Sequence, residues 1–336
     1  MRILLVDDSA LARGIMKKAL EDNGFSVVGQ ASNGQAGVEL ARDLMPDLII
    51  MDINMPVMNG LQATRAIMTS NPVPIIVFST ELDAMNSFEA VANGAVDIMH
   101  KPGISEYNDP VFFRAMKEKL LAVSRAKIRS VAFPGPGSRV APSGEGPGRF
   151  GILVMGASTG GPQAVSSILS KLPAGFPLGI ILVQHLESGF DRSYADWLQG
   201  QCALRISLAC GGPLPQAGEV FVAPVGMHLK VSGNQLVFDD SPPLVNQKPA
   251  VDVLFSSIAR TFGKRSLGVL LTGMGADGAQ GCADIRLNGG HTLVQDRDSS
   301  AIFGMPKAAI EMDGASEVCA LDDIPARLCA LAEGSA

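Results

Sequence analysis

The chain has 336 residues, 47% of them hydrophobic and 18% charged, which is enough for two domains with real cores and argues against disorder. Its formal net charge of -6 gives no reason to expect nucleic acid or an anionic membrane as the main partner. No stretch approaches the roughly 20 apolar residues that span a bilayer, and the opening MRILLVDDSA meets two aspartates too soon for a signal peptide. The expectation is a cytoplasmic protein with no membrane insertion. Its five cysteines show no C-x-x-C spacing and are expected to be buried free thiols.

Strand and helix patterns alternate five times over the first 125 residues. The strand candidates are Arg2–Asp8, Ser26–Ser32, Asp47–Asp52, Pro74–Ser79 and Ala95–Lys101. Continuous apolar runs such as Leu48-Ile49-Ile50-Met51 suit strands buried on both faces of a parallel sheet. Helical patterns lie between them, and a last one runs near Pro110–Lys127. This is the alternation of a doubly wound sheet. The segment FPGPGSRVAPSGEGPG then holds too much Pro and Gly for a regular element and reads as a linker, 126–149. From residue 150 to 336 a second α/β domain is expected. Its strand candidates are Phe150–Ala157, Leu178–His185, Val220–Ala223, Ser266–Gly273 and His291–Gln295, with irregular β structure near 202–248.

Ligands of open α/β sheets bind beyond the carboxyl ends of the strands. In the first domain those ends carry Asp7 and Asp8, then Asp52, then Ser79, then Lys101 followed by Pro102. Clustered carboxylates repel unless a cation joins them, and oxygen donors of this kind favour Mg²⁺. A phosphoryl group on one carboxylate would complete such a shell, with Lys101 offsetting its charge. A single Asp at a strand end would mean little, since Asp also caps helices. Five matched positions on four of the five βα units carry more weight.

Residues 1–125 resemble a response-regulator receiver domain of the flavodoxin-like (βα)5 type. The resemblance implies Asp52 as phosphoacceptor, within IIMDINMPVMNG. It implies Asp8, Asp52 and the Asn54 carbonyl as Mg²⁺ ligands with Asp7 assisting, Ser79 as the switch hydroxyl and Lys101 as the phosphate contact. The aromatic switch residue that many receivers place three positions before the lysine is Ile98 here.

The second domain opens with a strand running into GASTGGP, in which Gly156-Ala157-Ser158-Thr159-Gly160 fits G-x-S-x-G. Alone that turn could equally bind a phosphate, although the G-x-G-x-x-G form of a dinucleotide site is absent. A nucleophilic serine needs a base, and the base an orienting acid. Of the four histidines, His100 belongs to the first domain, while His228 and His291 read as polar surface residues at strand starts. His185 follows the apolar run Ile180–Val183 and Gln184, at the same sheet edge as Ser158. Asp277, in TGMGADG after another strand, is the candidate acid, and a plain helix N-cap is compatible with that role. Backbone N–H groups of the two Gly turns are candidate oxyanion donors.

GASTGG, QH, TGMGADG and FGMP (Phe303–Pro306) stand in the order and approximate spacing of the chemotaxis methylesterase family, CheB, which residues 150–330 resemble. The resemblance implies Ser158 as nucleophile, His185 as base, Asp277 as orienting acid and the backbone N–H of Met274 as oxyanion donor, in a doubly wound α/β domain that needs no cofactor. It implies a phosphorylation-activated protein-glutamate methylesterase that also deamidates glutamine, acting on cytoplasmic helices of methylated chemoreceptors with a chemotaxis histidine kinase as phosphodonor. NQKPAVDVLF (Asn246–Phe255) resembles a family segment beside the site, but Gln247 or Lys248 stands where the family carries Arg. Competing readings fare worse. A receiver joined to a binding module has no need of Ser158, His185 and Asp277 together, and a DNA-binding regulator would want a basic recognition helix after the linker.

Overall fold

Apolar runs with both faces buried build the first sheet. In the computed structural model, Leu48, Ile49, Ile50 and Met51 are all 2% exposed or less, as are Ile75–Phe78. The strands are β1 (Arg2–Val6), β2 (Ser26–Ala31), β3 (Leu48–Asp52), β4 (Ile75–Ser79) and β5 (Asp97–His100), and all ladders are parallel. Between and after them run α1 (Ala10–Asp22), α2 (Gly34–Leu44), α3 (Gly60–Ser70), α4 (Ala84–Ala92) and α5 (Pro110–Val123). Local chemistry starts the helices. Ser9, Asn33 and Asp109 accept backbone N–H bonds at their N-termini, and Asn59 with Gln62 closes a capping box on α3. The strand order β2-β1-β3-β4-β5 reverses direction between β1 and β3. The crevice beyond that reversal lies beside Asp7, Asp8 and Asp52.

The structure describes residues 1–80, 83–103, 106–128 and 149–334. They fall into two units, divided between Phe133 and Pro134. The expected linker lies almost wholly outside the described residues.

The second unit contains β6 (Ile152–Ala157), α6 (Gly161–Leu169), β7 (Ile180–Gln184), α7 (Asp191–Gln201), β8 (Arg205–Leu208), β9 (Gly212–Pro213) and β10 (Glu219–Val222). It continues through β11 (His228–Ser232), β12 (Gln235–Asp239), α8 (Val251–Phe262), β13 (Ser266–Leu270), α9 (Ala279–Leu287), β14 (His291–Gln295), α10 (Met305–Glu311), β15 (Glu317–Cys319) and α11 (Ile324–Ala332). Seven strands form a parallel sheet in the order β15-β14-β13-β6-β7-β10-β8. The chain leaves β6 toward β7 and later returns to its other side at β13, so the direction reverses at β6. The irregular β structure expected near 202–248 contributes β8 and β10 to the main sheet and a small antiparallel sheet, β11-β12-β9.

Helices α8 and α9 pack on each other and on β6 and β13. Their core joins Val251, Leu254, Phe255, Ile258 and Ile285 with Val154, Leu270 and Val294 of the sheet. Each such buried side chain stabilises the fold by roughly 1.5–3 kcal/mol. Two expectations need correction. His228 is fully buried, not a surface residue: its Nδ1 accepts from Ala250 N at 3.1 Å and its Nε2 donates to Pro242 O at 3.1 Å. The cysteines are all free, but only Cys282 and Cys329 are buried, and Cys210 is exposed; Cys210 lies in the loop between β8 and β9, and loop residues ordinarily run over the surface.

Candidate active site and acidic pocket

Three parallel strands side by side deliver the second-domain candidates to one edge. Ala157 of β6 pairs with Gln184 of β7, so Ser158 and His185 leave the sheet together. Gly156 pairs with Leu270 of β13, which places the Gly-rich turn 272–278 on the other side. Ser158 N donates to Thr272 O at 3.0 Å, and Ser158 O accepts from Gly161 N at 2.7 Å and Gln184 Nε2 at 2.9 Å. A β-carbon on Gly273 would sit 2.7 Å from Ser158 Cβ, so only glycine lets the two turns approach this closely. Thr272 Oγ donates to Thr159 O at 2.9 Å and accepts from Ile302 N at 2.9 Å, fastening the turns together.

His185 Nε2 lies 2.8 Å from Asp277 Oδ2, and both side chains are buried. His185 Nδ1 is buried with no hydrogen-bond partner among the described residues. Asp277 also accepts from Val251 N at 2.7 Å and Asp252 N at 2.9 Å, at the first turn of α8. A carboxylate there is stabilised by roughly 0.3–1 kcal/mol through the helix dipole. Asp277 is thus a helix cap, but of α8 and not of α9, the helix it precedes, whose start has no side-chain cap of its own. An imidazole whose Nε2–H is held by a carboxylate keeps Nδ1 as its proton acceptor. The side chain of Met274, on the same turn, is 41% exposed.

Asp252 was not among the candidates read from the sequence. It is 9% exposed, and its Oδ1 accepts from Gly278 N at 2.9 Å and Gly281 N at 2.7 Å. Burial pushes its carboxyl up to about 6, with the neighbouring Asp277 and Asp284 charges adding to the shift and the Gly281 and Gly278 N–H groups opposing it. The only sequence signal was an acid in the first turn of an amphipathic helix, which ordinarily reads as a surface residue favoured by the dipole.

In the first unit, the carboxylate oxygens of Asp7, Asp8 and Asp52 can all lie within 4.8 Å of one another, with Asp8 exposed and the other two buried. Lys101 Nζ bridges Asp7 Oδ2 at 2.7 Å and Asp52 Oδ2 at 2.8 Å. The remaining oxygens accept backbone donors, Ser9 N to Asp7 Oδ1 and Ile53 N to Asp52 Oδ1, both at 2.8 Å. Burial raises the Asp52 carboxyl above its ordinary value, with the Lys101 bond and charge opposing. For Lys101 burial works downward, but bonds to Asp52 and Asp7 outweigh it and the net shift is upward. Ser79 is 1% exposed, its Oγ donating to Thr80 O at 3.0 Å, and its carbonyl accepts from Lys101 N at 2.7 Å. Asn54 Nδ2 donates to Asp83 Oδ1 at 2.5 Å, and Thr80 Oγ1 to Asp83 Oδ2 at 2.7 Å. Asp83 thus ties the turn after β3 to the turn after β4, a role visible in sequence only as Thr80 preceding an Asp by three residues.

No described helix is long and apolar enough to cross a membrane. Both domains have counterparts among known proteins. Residues 3–107 match the model of the response regulator receiver domain, and residues 153–328 that of CheB methylesterase. A Cupriavidus pinatubonensis protein named protein-glutamate methylesterase/protein-glutamine glutaminase 1 is 38% identical, over 98% of this chain and 96% of its own. A Methanospirillum hungatei protein of the same name, number 2, is 42% identical over 92% of each chain. The crystal structure of the Thermotoga maritima CheB methylesterase catalytic domain is 35% identical with a TM-score of 0.51, covering 54% of this chain and 98% of that one. With the methylesterase match spanning more than half of the chain and relatives of 38% and 42% identity aligned over nearly all of it, the protein belongs to the CheB methylesterase family.

Proposed function

We propose that this protein is a phosphorylation-activated protein-glutamate methylesterase and protein-glutamine deamidase of chemotaxis adaptation, acting in the cytoplasm on methylated chemoreceptor helices. The observation that carries this reading is the 2.8 Å contact between His185 and Asp277 beside the Ser158 turn. Ser158 Oγ attacks the glutamyl ester carbonyl while His185 Nδ1 takes its proton, and Asp277 holds the imidazolium that forms. The Met274 backbone N–H donates to the oxyanion. His185 then returns the proton to the departing methanol, leaving an acyl-serine. Water, activated by the same histidine, frees the receptor carboxylate. A glutamine side chain follows the same course and releases ammonia. No step calls for a cofactor.

The acidic pocket governs this chemistry through Asp52, the proposed phosphoacceptor, with a histidine kinase as donor. Asp8, Asp52 and the Asn54 carbonyl are hard oxygen donors that suit Mg²⁺, with Asp7 beside them. When bound, the ion supplies charge neutralisation for phosphoryl transfer. Lys101, held between Asp7 and Asp52, contacts the added phosphoryl group. Ser79 Oγ leaves Thr80 O to donate to it. This rearrangement raises activity at Ser158, by no more than the phosphoryl group's preference for one state of the protein allows.

The reading is tested by intact mass. Incubation with a small phosphodonor and Mg²⁺ should add one phosphoryl group to wild type and none to Asp52→Ala. A methylated receptor fragment should lose its methyl groups to wild type and keep them with Ser158→Ala. Demethylation that persists in Ser158→Ala would overturn the reading.

A further inference from the structure

Helices α8 and α9 both begin without a side-chain cap of their own, at Ala250 and Gly278. Both starts are buried: Ala250, Val251 and Ala279 have no exposed surface. Buried N–H groups at a helix start need partners, and here each helix is capped by an acid from the other. Asp277, just before α9, takes Val251 N and Asp252 N of α8. Asp252, in the first turn of α8, takes Gly278 N and Gly281 N of α9 on its single Oδ1. The exchange is possible because the helices touch at Gly281, where a β-carbon would fall 2.4 Å from Phe255 Cβ.

We infer that Asp252 is a positioning residue for the reaction centre, acting through Asp277: it holds the start of α9 in the register at which the Asp277 carboxylate meets His185. The inference rests on the esterase reading above and adds a residue to it. Asp277 immediately precedes Gly278, whose N–H is one of the two that Asp252 holds. With that tie gone, the hydrogen bonds that still join the turn carrying Asp277 to α8, among the described residues, are the carboxylate's own from Val251 N and Asp252 N. The groups facing Asp252 are Asp277, Cys282 and Asp284 from α9 and the loop before it, none of them cationic. Asp252 therefore acts through its hydrogen bonds to the N–H groups and not as half of an ion pair.

Asn keeps an acceptor oxygen of the same reach, whereas Ala removes it. The experiment uses the full chain with Asp52 phosphorylated by a small phosphodonor and reads methanol release from methylated receptor membranes, together with the low-field proton resonance of His185 Nε2–H. Asp252→Ala should lower kcat roughly 10- to 100-fold with KM within about twofold, and should lose or shift the His185 resonance. Asp252→Asn should restore both. Where Asp252→Ala lowers the folded yield, Asp252→Ser, whose hydroxyl falls short of Gly281 N, takes its place. A folded Ala or Ser variant with wild-type kcat overturns the proposal, and so does a loss of kcat that leaves the resonance unmoved. Failure of wild type itself to release methanol would instead strike the esterase reading, while the resonance would still report whether Asp252 positions Asp277.

Discussion

His185 donates through Nε2 to Asp277 Oδ2 at 2.8 Å, and the same carboxylate caps α8 through Val251 N and Asp252 N. One side chain thus serves both the imidazole and a helix start, so its replacement should register in catalysis and in stability together. Asp277→Asn replaces one of the two oxygens that together accept three donors with an N–H donor. The expected result is a fall in kcat of roughly 10³–10⁴-fold, from loss of the correct tautomer. A fall in unfolding free energy of about 1–2 kcal/mol is expected from the lost cap. Steady-state methanol release and urea denaturation check the two effects separately.

Asp252 should make stability depend on pH. Its folded carboxyl is pushed up to about 6 by burial, above its ordinary value of 3.8. Between those values the native state binds more protons than the unfolded state, so the contribution of Asp252 to stability falls as pH rises through that window. Asp252→Asn cannot ionise. Relative to wild type it should be more favourable at pH 8 than at pH 4 by about 1–2 kcal/mol, once residual solvent screening is allowed for. Urea midpoints at the two pH values give the difference. A reversed sign would show that the carboxylate is stabilised in the fold.

Lys101 is the counter-charge of two buried carboxylates. Lys101→Ala leaves Asp7 and Asp52 facing each other, and the Asp52 carboxyl should rise further. The variant should lose about 2–4 kcal/mol at pH 8, and part of the loss should be recovered on acidification as one carboxyl takes up a proton. Phosphorylation of Asp52, followed by intact mass, should slow at the same time.

His228 carries no proposed chemistry, yet both ring nitrogens are bonded inside the fold. His228→Ala would leave the Ala250 N–H without its acceptor beside a new cavity. A loss of about 2–4 kcal/mol is expected, with KM for the receptor little changed in the folded fraction.

The first sheet was legible because its strands are apolar on both faces. The expected strands match the observed ones to within two residues at either end, as at Leu48–Asp52 against Asp47–Asp52. The edge where Asp7, Asp52 and Lys101 meet follows from strand order alone. The second domain was less transparent. Strand β15 is three residues long at a sheet edge, too short to carry a period, and no strand was expected there. The sheet of β11, β12 and β9 exists through antiparallel pairing of residues that read singly as irregular. His228 was misread for that reason: a polar residue at a strand start is ordinarily solvated, but here residues 242–250 pass over it and supply both its bonds. The placement of Ser158, His185 and Asp277 was legible because each ends or follows a strand, and the parallel register carries Ser158 and His185 to one edge, where His185 lies 2.8 Å from Asp277. Asp252 and Asp83 were missed because the pairings that set them apart, with Gly278 and with Asn54, span 26 and 29 residues of chain, and neither leaves a periodic trace.

The central claim is one esterase centre under the control of one phosphoacceptor. Methanol release from methyl-labelled receptor membranes tests it most directly, comparing wild type, Ser158→Ala and Asp52→Ala with and without a small phosphodonor and Mg²⁺. The account predicts release by wild type that the donor accelerates, none from Ser158→Ala, and release from Asp52→Ala that the donor leaves unchanged. Absence of release by wild type across a broad panel of receptors, while Asp52 still takes up phosphate, would contradict it.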